Sequence, residues 1–392
     1  MKHYDFDEII ERRHTNCVKY DLLEERFGNA NLKPLWVADM DFRTPDFVVN
    51  ALNKRMEHEV FGYTFPSDSY FQSIIDWNKK RHGWTIQREW IHFIPGIVRG
   101  IGFALDCFTA KGDKVIIQPP VYNPFHDVPD RMGRRVVLNP LRMVGDTYEM
   151  DFDQLESVID GCKVLILSSP HNPGGIVWSL DTLRKLAAIC HRHGVLVISD
   201  EIHAEMVFPG VQHHSFSSVS PEAAACSITF MAPSKTFNIA GIISSYAIVP
   251  DKRLREEFFG FLDAAEYGEG NIFSYVATEA AYTQGEEWLN QMLAYVRSNI
   301  DFVDAFLKEH VPEIKVIRPE ASFLIWLDCR GLCCDDQKEL VGIFKDKAHL
   351  ALNDGTMFGP GGEGFMRLNV GCARQILKEA LESLEEATKN QK

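Results

Sequence analysis

The chain lacks any hydrophobic run long enough to cross a bilayer. Its longest apolar stretch, residues 239–249, falls well short of the ~20 residues a spanning helix needs and contains Ser244 and Ser245. Positive charge is also scarce. Lys and Arg number 41 against 55 Asp and Glu, a formal net charge of -14, which argues against a nucleic-acid binder, since phosphate neutralisation needs clustered cations. The first ten residues carry Lys2, Asp5, Asp7 and Glu8 and no apolar core of the kind a secretory leader requires, so a cytoplasmic location is expected. Paired cysteine spacing is missing as well. The nine cysteines are odd in number, Cys333 and Cys334 are adjacent, and no C-x-x-C occurs, so the expectation is reduced thiols with neither a disulfide framework nor a metal site. No internal repeat, low-complexity tract or disordered linker interrupts the chain.

What is present is a 392-residue chain with 45% hydrophobic residues, enough for a sizeable core and more than one typical domain. Three short apolar runs, residues 164–167, 195–198 and 227–231, read as buried strands. Each is followed by a polar cluster: Ser169-Pro170-His171-Asn172-Pro173-Gly174-Gly175, then Ser199-Asp200-Glu201-Ile202-His203, then Pro233-Ser234-Lys235-Thr236-Phe237-Asn238. A lysine taken alone reads as a solvated surface charge. At the end of a buried strand, beside two further strand-end clusters, Lys235 reads instead as part of a ligand site, because open α/β sheets bind ligands outside the carboxyl ends of their strands.

Residues 179–194 give a well-marked helix, with Ser179 as N-cap, Leu183, Leu186, Ala187 and Cys190 on one face, and Gly194 as the stop. Strand, helix and strand then recur, which by the right-handed crossover rule makes a parallel sheet. Helices are also expected over 45–58, with Pro45 at the first position and Val48, Val49 and Leu52 on one face, and over 69–84 and 101–108. A long helix over 286–309 is followed by a change of periodicity. Strands at 314–317, 322–327 and 366–370 and helices near 337–347 and 375–388 describe a smaller α+β unit. Residues 94–102, with Gly96, Gly100 and Gly102, join a strand to a helix and can cradle an anion, a signal of low specificity by itself. Tyr122 follows Pro119-Pro120 and reads as core or as a ligand contact. Trp36, Val37 and Ala38 precede Asp39-Met40-Asp41 in a segment that fits a strand and turn as well as a substrate contact. Tyr63 sits on a loop before Phe65-Pro66.

The motifs S-S-P-H-N-P-G-G, S-D-E-I-H and P-S-K-T-F-N together resemble fold-type-I pyridoxal phosphate (PLP) enzymes of the class I/II aminotransferase superfamily. The segment P-L-W-V-A-D-M-D-F and His203, where most aminotransferases carry tyrosine, look like the carbon–sulfur lyase subgroup, cystathionine β-lyases of the maltose-regulon-modulator and cystalysin type. These matches run from Trp36 to Arg374. The resemblance implies an α/β fold with a large PLP-binding domain over 47–285, built on a mainly parallel seven-stranded sheet flanked by helices. It also implies a smaller domain over 286–392 that includes the long interdomain helix, with residues 1–46 as an arm and part of the small domain.

The same resemblance assigns roles. Lys235 would hold the cofactor aldehyde and then move the substrate's α-proton. Asp200 would keep the pyridine nitrogen protonated, which the cofactor needs as an electron sink. Tyr122 would stack on the ring, and Asn172 and His203 would bond its phenolate oxygen. Phosphate would fall to the Val98 and Arg99 amides, to Ser234, to the Arg99 side chain as a separate contact, and to Tyr63 reaching across a homodimer. Arg367 would clamp the substrate carboxylate, with Arg374 as the other candidate, and Trp36, Val37 and Ala38 would line the substrate side. Aminotransferases usually carry an arginine eight residues after the lysine; here Ile243 stands there, as in the lyase subgroup. The expected activity is β-elimination on cystathionine or an S-substituted L-cysteine. An aminotransferase acting on an L-amino acid and a regulatory binding protein of the same fold are the alternatives.

Overall fold

The computed structural model describes residues 2–332 and 334–389; Cys333 lies outside the described residues, as does the end of the expected small domain at 390–392. The main sheet has seven strands: β1 (Ile91–Ile94), β2 (Lys114–Ile117), β3 (Arg135–Leu138), β4 (Cys162–Ser168), β5 (Leu196–Asp200), β6 (Ser227–Met231) and β7 (Ser245–Ile248), in the order β1-β7-β6-β5-β4-β2-β3. From β6 to β3 every pairing is parallel. Strand β7 runs antiparallel to both β1 and β6. Strands β5, β6 and β7 are buried along their whole length, which is why none of them shows a polar and apolar alternation.

The longer helices that flank or precede this sheet are α1 (Asp46–Met56), α2 (Asp68–His82), α3 (Ile97–Phe108), α4 (Leu180–Arg192) and α5 (Lys252–Ala264). Helix α4 matches its expected form: Ser179 Oγ accepts the Thr182 N–H at 3.1 Å, and Leu183, Leu186, Ala187 and Cys190 are buried. Helix α1 differs in detail. Pro45 occupies the cap position rather than the first helical one, and Val49 is exposed while Val48 is buried.

Two boundaries move in ways that matter for the site. Strand β5 continues through Ser199 and Asp200, because β4 still offers ladder partners there: Leu167 faces Ser199 and Ser168 faces Asp200. Asp200 is therefore held in regular strand rather than in the loop after it. Helix α3 starts at Ile97, four residues before the expected 101. Gly96, at φ 111°, makes the turn an L side chain would resist, and the helix begins at once. The segments carrying β7, α5 and α6 (Ile272–Gln284) had no expected element.

Beyond α6, α7 (Glu286–His310) is a 25-residue helix. It buries Leu289, Met292, Leu293, Val296, Ile300, Val303 and Leu307 in a cluster that extends from Ile91 and Tyr246 to Leu368 and Leu381. A second sheet, β8 (Lys315–Ile317), β9 (Leu324–Asp328), β10 (Asn353–Asp354) and β11 (Phe365–Asn369), is antiparallel in the order β8-β9-β11-β10, and α8 (Arg374–Lys389) follows it. Residues 33–34 pair with 350–351, so the N-terminal segment is tied to this region. Among the described residues no helix is long and apolar enough to cross a membrane.

Asn299 sits fully buried on the apolar face of α7, and its Nδ2 donates to the Val370 and Cys372 carbonyls, both at 2.9 Å. Truncation leaves those carbonyls buried without a partner. Asn299→Ala is therefore expected to lower stability by about 2 kcal/mol, read as a drop in the thermal or urea midpoint; a midpoint equal to the parent's refutes this role.

Candidate active site

The strand ends and the loops around them enclose a cavity of about 290 Å³. Its lining includes Ala38, Gly96, Val98, Arg99, Tyr122, Asn172, Asp200, His203, Ser234, Lys235, Ile243 and Ser244. Most of the expected site residues thus meet in one place.

Lys235 projects from the loop after β6, and its Nζ donates to the Ala38 carbonyl at 2.5 Å. Desolvation lowers its pKa to about 8; Asp39 and Asp200 favour the ammonium, and Arg367 opposes it. Burial has the opposite effect on Asp200, whose carboxyl is raised to about 7 although it accepts the Ile202 N–H at 3.0 Å and feels Lys235. His203 is buried and held neutral, its pKa pushed down to about 3 first by desolvation and then by Lys235 and Arg367. Around neutral pH His203 is therefore uncharged, Asp200 sits near its midpoint, and Lys235 is mostly an ammonium with a minor neutral fraction.

Arg367 lies on β11 and is buried. Its Nη1 donates to Asn172 Oδ1 at 3.0 Å, and its Nη2 to Asn353 Oδ1 at 2.6 Å and to the Trp36 carbonyl at 3.1 Å. The guanidinium lies 4.9 Å from the centre of the Phe358 ring. Burial lowers its pKa to about 10. Its Nε, His203 Nδ1 and Ser244 Oγ are buried polar atoms with no partner in the chain. Such atoms are costly unless a ligand satisfies them. At the other end of the cavity, the first turn of α3 turns its free N–H groups outward at Val98 and Arg99. The Arg99 side chain folds back onto the Pro95 carbonyl at 3.0 Å.

Segment 36–41 forms one wall and is pinned by asparagines. Asn369 Nδ2 donates to the Val37 and Asp39 carbonyls at 2.6 and 2.7 Å, and Asn238 bonds the Met40 N–H and carbonyl at 3.1 and 2.9 Å. Gly371 permits this approach, since a Cβ there would lie 2.7 Å from Met40 Cγ.

Several expected contacts differ. Trp36 meets Arg367 through its carbonyl only; its indole donates to the Lys19 carbonyl at 2.9 Å and packs edge-on to Phe27. Val37 likewise offers a carbonyl, to Asn369, and only Ala38 of the three lines the cavity. Tyr63 does not reach the site within its own chain: it is fully exposed on a loop. Arg374 is committed elsewhere, to Asn299 at 2.7 Å, Ser298 at 2.8 Å and the Phe302 ring. Sequence reasoning missed Asn353, Asn369 and Ser244, and gave Asn238 no role. It also missed the buried pairing of Glu205 with Trp77 Nε1 (3.3 Å) and Thr236 Oγ1 (3.4 Å), directly behind Lys235. Asn238 was findable, because it stands in the lysine motif and adopts φ 54°, a backbone conformation asparagine tolerates. Ile243 adopts φ 58°, unusual for a β-branched residue, and places strain at the cavity edge.

An open α/β sheet with a desolvated lysine, a buried carboxylate and a buried arginine converging at its strand ends defines a small-molecule enzyme of the doubly wound class. The chain belongs to the aminotransferase class I and II family, whose model matches residues 34–384. It is 42% identical over 385 residues to cystathionine beta-lyase PatB of Bacillus subtilis, covering 98% of this chain and 99% of that protein. The crystal structure of cystalysin from Treponema denticola, which contains a pyridoxal 5'-phosphate cofactor, superposes with a TM-score of 0.96 at 35% identity over 100% of both chains. The PLP-bound C-S lyase from Staphylococcus hominis gives 0.92 at 33% identity over 98% of each.

The lowered pKa of Lys235 has a consequence for stability. In the unfolded chain the amine holds its proton to about 10.5, whereas in the fold it releases it near 8. Between these values the unfolded state binds more protons, so stability rises with pH; below 8 the fold bears the full cost of the buried charge. In the cofactor-free protein, Lys235→Met is expected to be the more thermally stable chain at pH 6–7, with the gap closing from about pH 8 to 10.5. Calorimetry showing a pH-independent gap, or a less stable variant, counts against a desolvated lysine.

Proposed function

We propose that this chain is a PLP-dependent carbon–sulfur β-lyase that converts L-cystathionine or another S-substituted L-cysteine to pyruvate, ammonia and a thiol. The observation that carries the reading is that Lys235 and Asp200 share one cavity, with Arg367 bonded to Asn172 of its lining. Full-length similarity to proteins named cystathionine beta-lyase, cystalysin and C-S lyase supports it.

The cavity fits the cofactor. Unpartnered donors at Ser244 and Arg367, a free helix start at Val98 and Arg99, and a buried carboxylate at Asp200 are complementary to a phosphate at one end and a pyridine nitrogen at the other. Ser234 and Ser244 would add hydroxyl donors to the phosphate, Tyr122 would cover the ring, and Asn172 with neutral His203 would face its oxygen. When bound, the cofactor supplies the electron sink that accepts the pair left on Cα after proton removal.

Everything else is done by the chain. Lys235 Nζ would condense with the aldehyde and, once released, take the Cα proton; a pKa near 8 leaves an appreciable neutral fraction for this at neutral pH. Asp200, ionised beside a protonated ring nitrogen, would hold that proton in place. Arg367, fixed by Asn172 and Asn353, would present its guanidinium to the substrate carboxylate. The substrate brings its own leaving group as a thiolate on Cβ. Purified protein is expected to release pyruvate from L-cystathionine over many turnovers without an added oxo acid. Arg367→Ala should lose roughly a hundredfold in kcat/KM, mainly through KM. Turnover only with an added oxo acid such as 2-oxoglutarate would make the protein an aminotransferase.

A homodimer belongs to this reading. The loop before α2 exposes Val60, Phe61, Tyr63 and Phe65, and Tyr63 can serve a phosphate only in a neighbouring chain. Two-fold pairing is the commonest closed arrangement. A cytoplasmic setting agrees with the thiols of Cys17, Cys107, Cys162, Cys190, Cys226, Cys329 and Cys372, none in a disulfide. The expected result is a dimer by sedimentation, with Tyr63→Phe retaining cofactor less tightly; a fully active monomer refutes the cross-chain role.

A further inference from the structure

Behind the carbonyl that receives Lys235 lies a compact set of charges contributed by the N-terminal arm. Arg12 contacts Asp39 twice, Nη2 to Oδ2 at 2.7 Å and Nη1 to Oδ1 at 3.3 Å. The same Nη1 donates to Asp41 Oδ1 at 2.6 Å and to the Met40 carbonyl at 3.2 Å. Lys19, with no exposed surface, holds Asp41 Oδ2 at 2.7 Å and the Asp39 carbonyl at 3.4 Å. Burial works against the Arg12 charge, yet the bonds to Asp39 and Asp41 outweigh it and raise its pKa.

Asp39 directly follows Ala38 in the wall that Asn369 and Asn238 pin. Of the charges around Lys235, namely Asp39, Arg367 and Asp200, Asp39 acts on it most strongly, and His203 on the adjoining turn is neutral. Three cations therefore surround one half-buried carboxylate: Arg12, which hydrogen-bonds it, Lys19, whose Nζ lies 3.9 Å from its Oδ1 but bonds Asp41, and Lys235, which is bonded to the neighbouring carbonyl instead.

We propose that Arg12 is a positioning residue that engages the Asp39 carboxylate and so keeps Lys235 from pairing with it, leaving the lysine amine available to the cofactor aldehyde. The inference rests on the reading of Lys235 as the reacting amine. An ammonium paired with a carboxylate in a poorly solvated site keeps its proton, and an ammonium has no lone pair with which to attack a carbonyl. Asn369 and Asn238 fix the backbone of the wall; Arg12 makes the two hydrogen bonds that direct the Asp39 side chain, with Lys19 a weaker neighbour at 3.9 Å.

The test titrates Lys235 in the full-length, cofactor-free chain by trace acetylation with acetic anhydride across pH, read on the Lys235 peptide by mass spectrometry. Arg12→Ala should raise the midpoint by about one pH unit and slow the capture of added pyridoxal phosphate at pH 7. Asp39→Asn should bring the midpoint to or below the parent's, and so should Arg12→Ala combined with Asp39→Asn. Should Arg12→Ala not fold, Arg12→Gln carries the same expectation, since it removes the charge and keeps a hydrogen-bonding side chain. An unchanged or lowered midpoint in the single Arg12 variant, or a raised one that persists in the double variant, overturns the proposal and leaves the arm a packing element. Borohydride trapping separates this from the underlying reading: cofactor trapped on another lysine in Lys235→Ala defeats the reading whatever the midpoints show.

Discussion

An ammonium at the end of a buried strand loses most of its hydration, and among the described residues the Ala38 carbonyl, 2.5 Å from Lys235 Nζ, is its one hydrogen-bond partner. That deficit organises the surrounding residues. It lowers the lysine's proton affinity into the range where an amine is reactive near neutral pH, and it requires the neighbouring charges to be held at controlled positions. Asp200 and His203 respond to the same desolvation, one raised and the other lowered, so both are drawn toward their uncharged forms.

Parallel strands bring this about geometrically. Strands β4, β5 and β6 end on the same side of the sheet, which puts Asn172, Asp200 with His203, and Lys235 within one cavity although they are scattered over more than sixty residues of chain. Strand β7, running the other way, begins on that side and contributes Ser244. Ala38 enters the cavity from outside the sheet. It belongs to segment 36–41, held by Asn238 from the lysine loop, by Asn369 from β11 and by the charges of the N-terminal arm. A wall made from carbonyl groups contributes through its backbone, which explains why Trp36 and Val37 meet the site without their side chains.

Arg367 links the two halves of this arrangement. Its guanidinium bonds Asn172 at the end of β4, Asn353 on β10 and the Trp36 carbonyl of the wall. Three anchors of this kind fix the plane of the fork, and preorganisation lowers the cost of recognising a carboxylate. The same contacts explain why Arg374, only seven residues further on, takes no part: it opens α8 and is satisfied by Ser298 and Asn299 of α7.

From the sequence by itself came the strands that end in S-S-P-H-N-P-G-G, S-D-E-I-H and P-S-K-T-F-N, the helix capped by Ser179, the long helix α7 and most of the residues that line the cavity. These are local: an apolar run of strand length, a cap, a motif within a dozen positions. The tertiary structure alone decided that Asp200 completes a strand, because its ladder partner lies in β4, and that α3 starts at Ile97. It also decided that Asn353 bonds Arg367, that Asn369 and Arg12 hold segment 36–41, and that Tyr63 stands outside the cavity in a single chain. Each of those depends on contacts between residues far apart in the chain, where one asparagine or arginine looks like any other. Desolvation is likewise a property of the packed environment, so the proton affinities of Lys235, Asp200 and His203 could be read only once the surrounding atoms were in place.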